Sequence, residues 1–211
     1  RVWLGGSLNM YDGAQLTSPT TISGNTKGTI HIGSEGSAYL SYLTLSSPTS
    51  GIIAEKGAAL NMRNITITNS QKEGVNLWGA AANIDNATIT GSAKEGIDMG
   101  DGAILEISNS TISGGSKQGI QANMGATLDM NYVSITNNQN DGVALWGAKA
   151  GIYNSTITGN NEGIRLNNGF LEIYNSTISG STINAITSHQ QSAINLGGGV
   201  IIENNGYGID V

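Results

Sequence analysis

Apolar and polar residues alternate in short bursts along almost the whole chain, and the bursts recur. After a glycine come runs such as Val75-Asn76-Leu77-Trp78, Ile97-Asp98-Met99 and Ile164-Arg165-Leu166. A second set follows, Leu105-Glu106-Ile107, Leu128-Asp129-Met130 and Leu171-Glu172-Ile173. Then comes a third: Ala87-Thr88-Ile89-Thr90, Ser110-Thr111-Ile112-Ser113, Ser155-Thr156-Ile157-Thr158 and Ser176-Thr177-Ile178-Ser179. The period is two, the signature of a strand with one buried face, and not the 3.6 of a helix. The opening glycines stand at Gly28, Gly51, Gly74, Gly96, Gly119, Gly142 and Gly163, with Ala185 in the same slot and then Gly208, at intervals of 21 to 23 residues. Spacing this constant predicts a solenoid whose coils each supply three short strands.

One asparagine separates the second and third bursts: Asn64, Asn86, Asn109, Asn154 and Asn175. A tight corner needs a left-handed backbone, which Asn tolerates better than any residue except Gly. Stacked at about 4.8 Å, these side chains form a predicted internal amide ladder from coil to coil. Tyr132 takes the slot once and interrupts it.

With these residues in view, the chain resembles the right-handed parallel β-helix of pectate-lyase-like proteins. Its low-charge, cysteine-free Asn-Ser-Thr-Ile-Thr/Ser-Gly style also resembles the passenger domains of bacterial autotransporters. The resemblance implies an all-β, right-handed, single-stranded parallel β-helix of about nine coils, roughly 40 Å long at strand spacing. Residues 28–211 read as regular coils. Residues 1–27 read as one looser coil, with Leu8-Asn9-Met10 as a degenerate second strand and Thr21-Ile22-Ser23-Gly24 as a degenerate third. The inward columns run through Ile52, Leu60, Ile67, Ile89, Ile112, Ile135 and Ile157, and end on Ile186, Ile194, Leu196, Val200 and Ile202.

Composition narrows the function. Charged residues make up 11% and the net charge is −6, which disfavours a nucleic-acid backbone as partner. No apolar run approaches the ~20 residues of a helical membrane span. The lack of cysteine fits export through an oxidising periplasm and fits a low-cysteine composition equally. The chain opens at Arg1 without a signal peptide and reads as a processed piece. The expected location is extracellular, secreted or at a bacterial cell surface.

Candidate chemistry lies on the outward faces. Alternation sends Asn76, Asp98, Gln121, Ala144 and Arg165 outward in one first-strand column, with Trp78, Gly100, Asn123, Trp146 and Asn167 in the next. Exposed indoles beside amides suit sugar stacking or protein contact; alternatively each Trp covers its own corner glycine, Gly79 or Gly147. Pectate-lyase-like enzymes bind Ca²⁺ through clustered Asp residues and carry an Arg base, and Asp98, Asp101 and Arg165 match that pattern only in part. Calcium wants six or more oxygens, so neither metal nor cofactor is expected. Glycosidases need two carboxylates about 5–9.5 Å apart. No coil carries an insertion longer than two residues, so the long loops that build clefts in β-helix enzymes are missing. The third-strand face carries Thr66/Thr68, Thr88/Thr90 and Thr156/Thr158, candidates for self-association or, less regularly because of Ser113, Ser134 and Ser179, for ice. The slot before each glycine (Glu73, Glu95, Gln118, Asp141, Glu162) reads as a solvated edge balanced by Lys72, Lys94 and Lys117. His31 reads as a solvated surface residue, and Tyr153 and Tyr174 as an outward stack. The expectation is a non-catalytic surface β-helix for adhesion or self-association, its partner a second copy or a host or cell-surface glycan or protein. A polysaccharide-binding or polysaccharide-cleaving β-helix is the alternative.

Overall fold

The computed structural model describes residues 29–46 and 49–211, together with the backbone of the strands Leu8–Met10, Ala14–Leu16 and Thr20–Ser23. Every strand pair is parallel. The first sheet stacks ten strands: Leu8–Met10, Ile30–Ile32, Ile52–Ala54, Val75–Trp78, Ile97–Gly100, Ile120–Asn123, Val143–Trp146, Ile164–Asn167, Asn184–His189 and Tyr207–Asp210. A second sheet of fifteen strands holds the other two strand positions. In three coils those positions fuse into single ten-residue strands, Ser37–Ser46, Ala59–Thr68 and Ala81–Thr90. Each is bent at one left-handed residue, Tyr42, Asn64 or Asn86. From Ile104–Ser108 and Thr111–Ser113 onward the two positions separate, as the three-strand pattern predicts.

The first coil corrects one assignment. Leu8–Met10 pairs with Ile30–Ile32 and so belongs to the first sheet, not to the second-strand position. Ala14–Leu16 fills the second position, pairing with Ser37–Ser46. An apolar-polar-apolar triplet looks the same in either place, and only backbone pairing decides. Thr20–Ser23 takes the third position as expected; Gly24 and the rest of 1–27 lie outside the described residues.

Strands stack in register, Val75 on Ile97 on Ile120 on Val143, so like side chains form aliphatic columns. A one-residue slip would turn every core residue outward. The column under the third strand, Ile67, Ile89, Ile112, Ile135, Ile157 and Ile178, is fully buried. In the last coil Ile194, Val200 and Ile202 only pack against the core, and Leu196 is 41% exposed. A terminal rung is covered by one neighbour, so the inward pattern does not bury it fully.

The repeating glycine has a packing cause. A Cβ on Gly119 would stand 2.4 Å from Ile135 Cγ2 and 2.7 Å from the Gly142 carbonyl oxygen, and Gly96 repeats the geometry with Ile112 and Gly119. No side chain fits where the turn brings one coil's backbone against the next.

The corner residues Asn64, Asn86, Asn109, Tyr132, Asn154 and Asn175 all have φ near +50°. The ladder, however, is external and broken. Asn86 Nδ2 donates to Asn64 Oδ1, but Asn109 Nδ2 donates to Asp85 (2.8 Å) and Asn154 Nδ2 to Asn131 (2.9 Å). The left-handed kink points these side chains to solvent, where neighbouring acceptors compete. The internal polar columns lie elsewhere. Ser110, Ser155 and Ser176, one residue past the corner, each accept a backbone N–H from the preceding coil and donate to a carbonyl two residues back. Asn138 and Asn160, in the turn after the third strand, form a buried amide pair, with Asn160 Nδ2 also donating to the carbonyls of Ile135 and Thr158.

Candidate functional site: the first-sheet face

The outward columns of the first sheet are half-buried at most positions, with Trp78 exposed and Gly100 and Ala144 buried. Asn76, Asp98, Gln121, Ala144 and Arg165 are successive partners in one column, and Asn123, Trp146 and Asn167 in the next. Trp78 pairs with Gly100. Its ring lies over that residue, where a Cβ would come within 2.9 Å of Cζ3. The indole therefore rests on the next coil at Gly100, while the Lys56 stem and the Asp101 carbonyl approach Gly79. Trp78 stays 58% exposed and Trp146 is half-buried. Ala144 is fully buried and offers a ligand nothing.

Asp98 is the chemical centre of the face. It accepts from Gln121 Nε2 (3.4 Å) and Asn123 Nδ2 (3.1 Å), and Asn123 also donates to the Met99 carbonyl. Burial, and then the charges of Glu95 and Glu73, push its carboxyl above the ordinary range. Asp101 has a different partner, Lys56 at 3.2 Å. Among the described residues no group of three or more His, Asp or Glu could hold a metal ion.

Arg165 is engaged in an ion-pair cluster, with its side chain 29% exposed. Its Nε and Nη2 donate to the two carboxylate oxygens of Glu162 (3.2 and 2.7 Å), and Nη2 lies 3.4 Å from Asp141. This reflects the largest departure from the sequence expectation. The pre-glycine slot is not a solvated edge: Glu73, Glu95, Gln118, Asp141 and Glu162 are all buried. The tight glycine turn carries the preceding side chain inward under the rim of the sheet. Each carboxylate then takes a cation, Lys94 on Glu73 (2.9 Å), Lys117 on Glu95 (3.2 Å) and Arg165 on Asp141 and Glu162. Burial opposes ionisation of Glu73, but the Lys94 hydrogen bond and charge and the Ser50 hydroxyl hold its carboxyl below the ordinary range. Asp141 goes the other way. Burial raises it to about 6 against the pull of Arg165, with Glu162 adding to the rise; Arg165 supplies charge to Oδ1 without hydrogen-bond geometry. The legible signal was a polar residue repeated at one fixed slot with a cation nearby, which is how an internal ion-pair column reads.

His31 is likewise partnered, its Nε2 2.8 Å from Glu55 Oε1. Tyr153 and Tyr174 stack as expected, with centroids 6.0 Å apart and planes 9° off parallel. Beside them on the second sheet is a shallow groove of about 240 Å³, lined by Asn83, Glu106, Asp129, Asn131 and Tyr153 among others; apart from Tyr153, the sequence reading gave these residues no functional role. The third-strand threonines form in-register columns, Thr66 on Thr88 and Thr68 on Thr90, with Thr156 exposed and Thr158 bonded to Ser179.

Similarity to known proteins follows this geometry. The periplasmic alginate epimerase AlgG superposes with a TM-score of 0.74 at 12% identity, over 99% of this chain and 60% of its own. Pectate lyase Pel9A gives 0.59 at 11% identity over 94% and 69%. The A-module of the Azotobacter vinelandii mannuronan C-5 epimerase AlgE4 gives 0.57 at 12% over 98% and 89%. The chain thus spans less than two thirds of the AlgG structure, and these likenesses establish the fold. No curated protein sequence matches the chain. The family model for the right-handed beta helix region matches residues 7–161 and 73–211, so the chain, whose three faces and stacked aliphatic columns are those of such a solenoid, belongs to the right-handed β-helix family.

Proposed function

We propose that this chain is a polysaccharide-binding β-helix whose ligand lies along the first-sheet face, on Trp78, Asn76, Asp98, Gln121, Asn123 and Trp146. The supporting observation is the pair of outward columns in which two indoles flank a run of amides and one partly buried carboxyl. An indole offers a flat apolar surface to a sugar ring, and the amides both donate and accept hydroxyl hydrogen bonds. The structures of like fold are named for action on alginate and pectate, which agrees in ligand class. Arg165 is left out because it is bound to Glu162 and Asp141. Such polymers place the chain in the periplasm or outside the cell.

Binding without turnover is the expected outcome, since Asp98 is the only carboxyl in the two columns between Asn76 and Asn167 and glycoside hydrolysis uses a pair. Pull-down on a panel of polysaccharides tests the reading: wild type binds and Trp78→Ala/Trp146→Ala does not. Equal behaviour of the two proteins removes the site. Product release that disappears in Asp98→Ala would extend the reading to catalysis.

A second reading, adhesion through self-association, is favoured by the in-register threonine columns of the third-strand face. Sedimentation equilibrium of wild type against Thr66→Lys/Thr88→Lys tests it; an unchanged monomer in both excludes it.

A further inference from the structure

We infer that the glycan accepted by the first-sheet face is an uncharged one, an inference that rests on the polysaccharide reading above. The rim of this sheet is rich in ionisable groups, yet they are spent on one another. Of the nine Lys and Arg, Arg1 and Lys27 lie outside the described residues. Five of the remaining seven are paired: Lys56 with Asp101, Arg63 with Asp85, Lys94 with Glu73, Lys117 with Glu95, and Arg165 with Asp141 and Glu162. A polyuronate carries a carboxylate on every sugar and needs a row of free cations. Here Lys94, Lys117 and Arg165 are anchored to carboxylates that are themselves buried, whereas Lys56 pairs with exposed Asp101 and exposed Lys72 has no ion pair among the described residues. Drawing Arg165 or Lys94 outward would strand a buried charge, which is costly.

The same pairing removes the opposite choice. A polyamine sugar needs a row of free carboxylates, but Glu73, Glu95, Asp141 and Glu162 are buried and partnered. Asp98 remains, and its two amide partners already occupy it. The two cations without an ion pair, Lys72 and Lys149, belong to neither outward column of the sheet. Among the described residues the two outward columns carry no free charge apart from Asp98, so indoles and amides are their principal binding groups. Those groups recognise hydroxyls and the C–H faces of sugar rings without regard to charge. The net charge of −6 adds a long-range repulsion against polyanions.

Affinity electrophoresis at low ionic strength, where electrostatic attraction is strongest, tests this directly. The gels carry neutral polymers (a β-glucan, a xylan, a galactomannan), alginate, polygalacturonate or a soluble chitosan. A neutral polymer is expected to retard the wild type, with affinity about tenfold lower in Trp78→Ala/Trp146→Ala and little changed by 0.5 M salt. Tighter, salt-sensitive binding to alginate, polygalacturonate or chitosan than to any neutral polymer overturns the inference while leaving the polysaccharide reading in place. Retardation by none of the polymers overturns both.

Discussion

Asp141 concentrates the cost of the buried column in one side chain. It is fully buried, and its carboxyl moves from an ordinary 3.8 to about 6, a difference worth about 3 kcal/mol. A carboxyl raised by folding binds its proton more tightly in the native state. Its contribution is therefore complete below about pH 3.8 and is lost as the pH climbs through about 6. Asp141→Asn should leave the melting temperature nearly unchanged at pH 4 and raise it by several degrees at pH 8; equal shifts at both pH values would mean that Asp141 is ionised throughout. Glu73, lowered by Lys94, titrates in the opposite sense, so the variant must be compared with wild type at each pH. Gly119 is a second residue where one atom decides. A methyl there meets Ile135 Cγ2 and the Gly142 carbonyl, so Gly119→Ala should destabilise by about 1–3 kcal/mol or more, read by urea denaturation. Exposed Gly102, with open space around it but a positive φ, would lose only the local backbone preference on the same substitution.

At the scale of the coil, the strands were legible because alternation and burial are the same fact seen twice. Val75, Leu77, Ile97 and Met99 could face only one way. The corner residues were legible too, since a left-handed backbone leaves few choices, and Asn64 through Asn175 adopt it. The direction of the polar side chains was not. A carboxylate before a glycine looks like surface in one dimension, and only the stacked turn reveals that Glu95 and Glu162 point beneath the sheet with cations from the same or the next coil. The outward amide ladder was misjudged for the same reason, while the serine one step on does the internal work. Ser155 Oγ accepts from the Val133 N–H at 3.0 Å and donates to the Tyr153 carbonyl at 2.7 Å. Ser155→Ala should cost about 1–3 kcal/mol, because it orphans the buried Val133 N–H, while the Tyr153 carbonyl keeps the Tyr132 N–H. Thr156→Ala, one residue along and exposed, should stay within about 0.5 kcal/mol. Equal losses in the two variants, measured by chemical denaturation, would show that the serine column carries no special share. On the candidate face the outward placement of Trp78, Asn123 and Asp98 could be read from alternation alone, whereas the engagement of Arg165 depended on a carboxylate in the preceding coil, Asp141, that periodicity could not orient.

Across the whole molecule each coil's strands pair with those of the coil before and the coil after, and only a surface ion pair such as Lys56–Asp101 reaches across two coils, so stability is close to a sum of coil terms and nearest-neighbour terms. Position along the rod then matters as much as chemistry. Ile135 and Ile178 occupy the same column and are equally buried, and truncating either to alanine removes about 2–5 kcal/mol of local packing. Ile135 has Ile112 on one side and Ile157 on the other, so its loss weakens a joint between two long blocks and must lower the main unfolding transition. Among the described residues the column continues beyond Ile178 with Ile202 alone, in a coil that is already partly exposed. A gap there can be relieved by letting that coil open while the rest stays folded. Ile178→Ala should therefore shift the main transition less than Ile135→Ala, and amide exchange should accelerate selectively in Ile201–Glu203 and Tyr207–Asp210. Equal shifts, with protection falling evenly from the first described coil to the last, would make the solenoid one cooperative block and defeat the nearest-neighbour account. The same locality lets the first-sheet face keep its column of amides and indoles rigid in the middle of the rod, between Trp78 and Trp146, far from the coils that open first.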